Sequence, residues 1–581
     1  MADPAGRPQP EGADRWFVWS RGILALALLA FPYLALYLAA PPGQHYTGVL
    51  FNPSDSFLYL AQMAHGHGGQ LGFVDYFTHL HEPPLPIYTL YSATGLLTPT
   101  AITPLAGGIA FHLARLGLCG LFVWQLWKLL GELLPRRAAR RLALVMVLFT
   151  AGAGLFQILL GLARPGEPPY DLFITESSTF AGLVFAPHFA LVLLLLVVYL
   201  RALWRVGTGR GPTWRATLAG AAAALLLSTI HPDKIVVLAV TSALFLLHAM
   251  LWGGARRRRR VAITQGALML AGGLPYFAYS FSLVLEDPQI AQLLRQGLNH
   301  ESVPDPLVYY LFGFGIPGLL ALTGLPRFLR DLPRREAGEV LLWSFAAGGL
   351  LLIAVPYHDV GHRGEGLQLA LAALAARTLV RDSLPRLWRS RAFAAAVRRH
   401  PLGYGRRRLR LLSLNLVVIL SAPSVLALSL ASVRAGLAIS DQVYVGAADR
   451  AALGWLRANA GPQDVVAGDP FTGQFVAAYG GTHVVFGQQA YTPDFTRELL
   501  ALSRFFRGLD APRDYLAARG VTYLYWGPRE RGDATFDPAT LTFLEPVYRS
   551  GSTTLYRVRP AAAPATAARI AEPVAPVPRA W

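Results

Sequence analysis

The side chains of this sequence that could do chemistry fall in a few short segments. Asp55 stands in Asn52-Pro53-Ser54-Asp55-Ser56-Phe57-Leu58-Tyr59, immediately before an apolar helical run. A carboxylate there, or the Ser54 hydroxyl, can cap the helix; the carboxylate can instead face a cavity as a general base for an attacking hydroxyl. Two cations interrupt loops that are otherwise poor in them. Lys234, in His231-Pro232-Asp233-Lys234, is one of only two lysines, and Arg363 lies in His358-Asp359-Val360-Gly361-His362-Arg363-Gly364-Glu365. Lys234 can simply pair with Asp233 at a tight turn and Arg363 can snorkel to head groups. For holding a phosphate, Arg363 is the better candidate, because a planar guanidinium grips two oxygens at once.

The histidines carry a weaker signal. His79, His81 and Glu82 form His-x-His-Glu, and with His65 and His67 they offer donors for a divalent metal, but not at the spacing of a helical H-E-x-x-H site. The reading adopted is no metal, with His81 and Glu82 orienting substrate hydroxyls at a cavity mouth. His188, just inside an apolar stretch at Pro187, fits a hydrogen-bonded core imidazole or a substrate contact; His231 is counted with the contacts. Glu176 either caps the following helix or supplies a second acid.

These residues need a membrane to position them. Hydrophobic residues make up 54% of the 581 and charged residues 15%, with mean hydropathy +0.39, which excludes an ordinary soluble protein. Stretches of about spanning length lie at 16–40, 105–130, 142–162, 180–200, 216–230, 235–252, 261–284, 306–325, 340–356, 366–380 and 411–432, roughly eleven in all. The net charge of +18 resides in arginine clusters between alternate stretches, among them 136–141, 201–215, 256–260, 327–335 and 377–410. That is the positive-inside pattern and not a nucleic-acid surface. It places the N-terminus in the cytoplasm and the loop 41–104, which has no Lys or Arg, outside. Within that loop, 56–65 and 85–97 read as amphipathic helices on the membrane surface. The single Cys119 excludes an intrachain disulfide.

From 441 the pattern becomes that of a small soluble domain. Helices are expected at 447–459, 495–506 and 513–519, and strands at 465–467, 483–486 and 521–526, closed by two strands around Ser550-Gly551-Ser552. The expected organisation is a cytoplasmic tail 1–15, a membrane domain 16–432, an extracytoplasmic α/β domain 441–558 and a disordered tail 559–581.

Asp55…Tyr59 in the first outer loop, followed by Pro83-Pro84-Leu85-Pro86-Ile87-Tyr88, resembles the GT-C class of polyprenyl-phosphate-sugar glycosyltransferases, which includes protein O-mannosyltransferases and the aminoarabinose transferase. Ser56 stands where that class often has Glu. The segment 451–526 is similar to outer domains appended to bacterial members. The resemblance implies an α-helical polytopic membrane fold of about eleven spans. It also implies inverting transfer of a sugar from a polyprenyl-phosphate donor to a glycan, lipid or protein acceptor at the outer face of a bacterial inner membrane. Asp55 would be the base, with Tyr59, His81, Glu82, Glu176, His188, His231, Lys234 and Arg363 around the substrates. No cofactor and no nucleic-acid partner are expected; membrane lipids are. A lipid-sugar flippase would spread charge through the spans. A scaffold with an outer binding domain would need no buried acid.

Overall fold

The computed structural model describes residues 11–81, 84–163, 168–253, 256–286, 291, 306–354, 364–399 and 406–559. Glu82 and Arg363 lie outside them. Among the described residues seven helices are long and apolar enough to cross a membrane: Asp14–Leu38, Pro104–Leu133, Pro187–Thr208, Lys234–Trp252, Arg256–Leu283, Tyr309–Arg330 and Leu411–Ala438. The protein is thus a multi-pass membrane protein. Other expected spans are helical but shorter: Arg137–Phe149, Thr213–Ser228, Ala337–Ala354 and Leu367–Thr378.

In chain order, α1 is Glu11–Leu38, α2 Pro53–His67, α3 Thr89–Leu96, α4 Pro104–Leu133, α5 Arg137–Phe149, α6 Gly154–Leu159, α7 Tyr170–Phe173, α8 Thr179–Phe185, α9 Pro187–Thr208, α10 Thr213–Ser228 and α11 Lys234–Trp252. Helix α9 packs against α4 and α10, and α11 against Ala337–Ala354. The expected stretch 142–162 is broken between α5 and α6. There Ala151 N bonds Ser421 O at 3.2 Å and Ala153 N bonds Phe312 O at 2.7 Å. Neighbouring helices thus satisfy backbone groups that α5 does not, as buried membrane backbone requires. The stretch 180–200 is broken at Pro187, whose ring cannot sit inside a helix and here starts α9.

One cation is fully buried well inside a span. Arg115 of α4 is fully buried, and its guanidinium donates to Leu183 O at 2.8 Å and Leu29 O at 3.2 Å while lying over the Tyr33 ring. Carbonyls of α1 and α8 thus replace the water it lost.

The loop after α1 is fastened to the chain's C-terminal part. Strand β1 (Gln44–Tyr46) pairs antiparallel with β2 (Tyr444–Gly446), and Tyr444 Oη donates to Leu36 O at 2.8 Å. Five further strands follow: β3 (Val465–Ala467), β4 (His483–Val484), β5 (Tyr523–Trp526), β6 (Leu544–Ser550) and β7 (Thr553–Val558). They form one sheet in the order β4-β3-β5-β7-β6, parallel in its first three strands and antiparallel in the rest. The loop extends the β4 edge through Val484 N to Tyr76 O at 2.9 Å. A shared core then forms in which Phe57, Tyr59 and Tyr91 belong to the same cluster as Val466, Phe475 and Tyr479. Within the loop, α2 and α3 touch backbone to backbone: a Cβ on Gly66 would run into Ser92 O, and one on Gly95 into Met63 O. Only glycine fits at either place.

Candidate functional site

Asp55 lies in the first turn of α2, half-buried. The cap position belongs to Asn52, in left-handed backbone at φ 37°, and Pro53 begins the helix. Neither Ser54 nor Asp55 caps it. Asn52 Nδ2 instead donates to Asp55 Oδ2 at 2.6 Å, and Gln488 Nε2, 433 residues away, donates to Oδ1 at 2.7 Å. The Gln488 amide is held in that sense, because its Oε1 accepts Ala490 N at 2.6 Å and Tyr491 N at 3.0 Å. Gln474, also from the C-terminal part, donates to Ser54 Oγ at 3.0 Å. The first turn of α2 is therefore gripped from the sheet-containing region.

From Asp55 a wall of rings leads across the bundle. Tyr59, one turn along α2, stacks on Tyr91 at 4.3 Å with the planes 6° apart, and Tyr88 lies 5.9 Å from it. Burial, then the Asp55 charge, hold the Tyr59 phenol well above its ordinary pKa, so it stays protonated. The Tyr91 hydroxyl meets His188 Nδ1 at 2.5 Å, and the His188 ring lies 5.5 Å from that of His231. His188 is thus a hydrogen-bonded core imidazole and also a link in this wall.

The wall ends in charge. His231 Nδ1 lies 2.9 Å from Glu365 Oε2, and Lys234 Nζ lies 2.7 Å from Asp233 and 3.9 Å from Glu365. Lys234 is 1% exposed and Glu365 4%. Burial lowers the pKa of His231, but the facing Glu365 carboxylate outweighs it and leaves the imidazole above its ordinary value. Glu176, also buried, is close enough for its charge to act on both Lys234 and Glu365. It does not cap α8; Ser178 does, accepting Ala181 N at 3.2 Å.

The structure therefore brings together Asp55, Tyr59, His188, His231, Lys234 and Glu176. The Lys234–Asp233 pair at the turn is present as one of its two sequence readings. His81 is elsewhere: its Nε2 lies 3.2 Å from Gln463 O and its ring 4.3 Å from that of His483, so it packs on the C-terminal part and does not meet Asp55. Among the described residues no three His, Cys, Asp or Glu side chains are grouped to hold a metal. Sequence reasoning missed Tyr91, Glu365 and Gln488. Glu365, an acid just before a span, carried a legible signal; Gln488 carried none, since only the tertiary fold brings it to Asp55.

A profile described as a family of unknown function, DUF6541, matches residues 367–560, the end of the bundle together with the sheet. No curated protein matches the sequence. Among solved structures, the Archaeoglobus fulgidus oligosaccharyltransferase tethered to an acceptor peptide containing the NVT sequon superposes with TM-score 0.54 at 12% identity, over 89% of this chain and 70% of that one. ArnT from Cupriavidus metallidurans bound to undecaprenyl phosphate gives 0.50 at 14% identity, over 94% and 98%. The fold class expected from sequence is the one observed: a polytopic helical membrane bundle carrying a C-terminal α/β region on a mixed sheet, the fold these solved structures share.

Proposed function

We propose that this protein is an inverting glycosyltransferase that moves a sugar from a polyprenyl-phosphate donor to an acceptor hydroxyl, at the outer face of a bacterial inner membrane with its N-terminus in the cytoplasm. The observation that carries the reading is the row of side chains from Asp55, through Tyr59, Tyr91 and His188, to His231, Glu365 and Lys234. An acceptor-only carboxylate stands at one end, the cation-bearing cluster at the other, and a row of buried rings joins them. The solved structures support a lipid-linked donor and a separate acceptor, since one was determined with undecaprenyl phosphate and the other with an acceptor peptide.

Asp55 takes the proton of the acceptor hydroxyl as its oxygen bonds the anomeric carbon. The bond from that carbon to the phosphate oxygen breaks, and the lipid phosphate leaves with the electron pair. Its charge needs preorganised positive groups. Arg363, two residues before Glu365 in the chain, is assigned to the phosphate, and Lys234 adds to the positive charge of the site. Lys234 is itself too buried and too well paired with Asp233 to be the principal ligand.

A flippase fits less well, because within the described spans Arg115 is satisfied by carbonyls and the remaining charge clusters lie at helix ends. The test is turnover of labelled polyprenyl-phosphate sugars by the protein in lipid, with and without chelator. Asp55→Asn keeps the size and the Gln488 contact but cannot take a proton, so transfer should fall about 10²–10⁴-fold with donor binding retained. Turnover within a few-fold of wild type would leave Asp55 a structural role only.

A further inference from the structure

Glu365, the acid that faces His231 and Lys234, stands between two glycines, and a side chain from another helix fills the space at each. A Cβ on Gly364 would run into the Tyr170 hydroxyl oxygen, and one on Gly366 would come 2.8 Å from Leu196 Cδ1. Gly366 is in left-handed backbone at φ +81° and occupies the cap position of helix Leu367–Thr378. Gly364 is not in that conformation, so there the requirement is for space alone. The backbone that carries the Glu365 carboxylate is therefore seated on Tyr170 on one side and Leu196 on the other. Little slack is available, since His231 Nδ1 is 2.9 Å from Oε2 and Lys234 Nζ already 3.9 Å away, and a hydrogen bond weakens steeply beyond about 3.5 Å.

Tyr170 is itself immobilised. It is fully buried, and its ring stands edge-on to those of Tyr309, Tyr310 and Phe314 at 5.2, 5.0 and 5.7 Å. A Cβ on Gly313 would run into that ring. The next residue, Asp171, accepts Gly154 N at 3.2 Å, and a Cβ on Gly154 would run into its other carboxylate oxygen. Four residues of helix do not hold together alone, so packing keeps α7 wedged between the break after α5 and helix Pro306–Arg330, itself kinked at Gly315. The hydroxyl is the part of this wedge that reaches Gly364.

We propose that Tyr170 is a positioning residue, whose hydroxyl fills the space of the missing Gly364 side chain and so aims the Glu365 carboxylate at His231 and Lys234. It acts through the backbone at Gly364, and its rotamer is locked by the surrounding rings, as the support of a reacting group requires. The bearing of this arrangement on sugar transfer rests on the function proposed above; the geometry of the cluster does not.

The experiment reads both separately. His231 is titrated by NMR in full-length protein carrying isotope-labelled histidine in lipid nanodiscs, its signal assigned by loss in His231→Gln, and transfer and unfolding temperature are measured on the same samples. The groups facing the imidazole are Glu365, Lys234 and Asp233, with His188 beside it, and only the first is moved by the variants. Tyr170→Phe keeps the ring contacts and deletes the oxygen; the proton affinity of His231 should fall several-fold. Gly364→Ala drives a methyl group against that oxygen, and the affinity should fall by about tenfold or more as the charged hydrogen bond is lost. Combining the two should bring His231 back toward wild type, because the remaining neighbours of the new Cβ, Ile353 Cδ1 at 3.4 Å and Tyr170 Cζ at 3.7 Å, are at ordinary contact distance. Transfer should follow the same order, in kcat more than in KM. An unchanged His231 titration in Tyr170→Phe, a double variant no better than Gly364→Ala, or a lowered unfolding temperature with the titration intact would each overturn the assignment. The expected titrations in a protein without turnover would uphold the positioning role and count against the transfer reading alone.

Discussion

The two ends of the helical bundle both gather charge, but with different chemistry. At the arginine-rich end, Glu132 of α4 is held by Arg201 at 2.8 Å and Arg205 at 2.6 Å, and Asp14 by Arg137 and Arg141, each at 2.8 Å. Arg377 pairs with Glu339 at 2.7 Å and Glu336 at 3.0 Å, with Arg335 and Arg381 against the same acids. The cations that pair with these acids are guanidiniums, permanently charged and able to hold two acids at once; Lys128, close to the Glu132 cluster, lies over the Trp124 ring instead. At the opposite end the described buried cluster has one ammonium, Lys234, beside an imidazole and the acids Asp233 and Glu365. These groups can change protonation state, and a wall of rings connects them to Asp55. The arginine end fastens helices together; the other end has the composition of a place where charge moves.

Removing the central cation from each cluster should break them unequally. Lys234→Met leaves Glu365 and Asp233 with no ammonium, and unpairing a buried ion costs about 3–5 kcal/mol. Arg377→Met leaves Glu339 with Arg335 at 3.5 Å and Glu336 with Arg381 at 3.2 Å, so the loss should be roughly half that or less. Thermal unfolding of both variants in the same detergent measures the difference. Equal losses would mean that the Lys234 end is a structural clamp like the other.

A smaller effect isolates the grip on Asp55. Gln488→Ala removes one hydrogen bond to Oδ1 but leaves that of Asn52 to Oδ2. A hydrogen bond to a charged group contributes about 1.5–3 kcal/mol, so transfer should fall by about tenfold or somewhat more, in kcat more than in KM if the amide aims the base. Its counterpart at the other end, Gln125→Ala, removes a 3.2 Å bond to Arg201 and should leave turnover unchanged. If both or neither alter turnover, Gln488 is not a positioning residue.

What the sequence reveals follows the same division. Patterns local in the chain are legible: helices Ala447–Asn459 and Phe495–Phe506 have the bounds expected from periodicity, and β6 and β7 turn at Gly551 as that tripeptide predicts. Hydropathy places the long spans but not their breaks. The interruption at 150–153 depends on carbonyls of helices that arrive much later in the chain, and periodicity does not see them. At the candidate site, Asp55, His231 and Lys234 were identifiable because acids, imidazoles and lysines are few in such a sequence, and Tyr59 because Asp55…Tyr59 resembles the GT-C pattern. Tyr91 was one tyrosine among 23, and Gln488 an unremarked amide in a loop. Their significance comes from the fastening of the first loop to the C-terminal sheet, and β1–β2 pairing across four hundred residues has no local signature.

The finest test uses pH near and above neutrality, because guanidiniums do not titrate there while the His231 imidazole of the Lys234 cluster does. His231 has its pKa raised, mainly because Glu365 overcomes the effect of burial; Lys234 opposes the shift, Asp233 adds to it, and His188 lies beside the ring. A raised histidine pKa means that the folded state holds the proton more tightly than the unfolded chain. Its stabilisation is therefore fully present below the unfolded value of about 6.5 and is lost as pH rises through the folded value. Burial raises the pKa of Glu365 as well, against the pull of His231 and Lys234, and this too makes stability decline with pH, in a window beginning near 4.5. Unfolding temperature should thus fall between pH 6.5 and 8.5 in wild type. His231→Gln removes the titrating group and should flatten that segment, each unit of upward shift being equivalent to ~1.4 kcal/mol. A slope that survives His231→Gln would assign the proton to another group and leave the imidazole as one more ring in the wall.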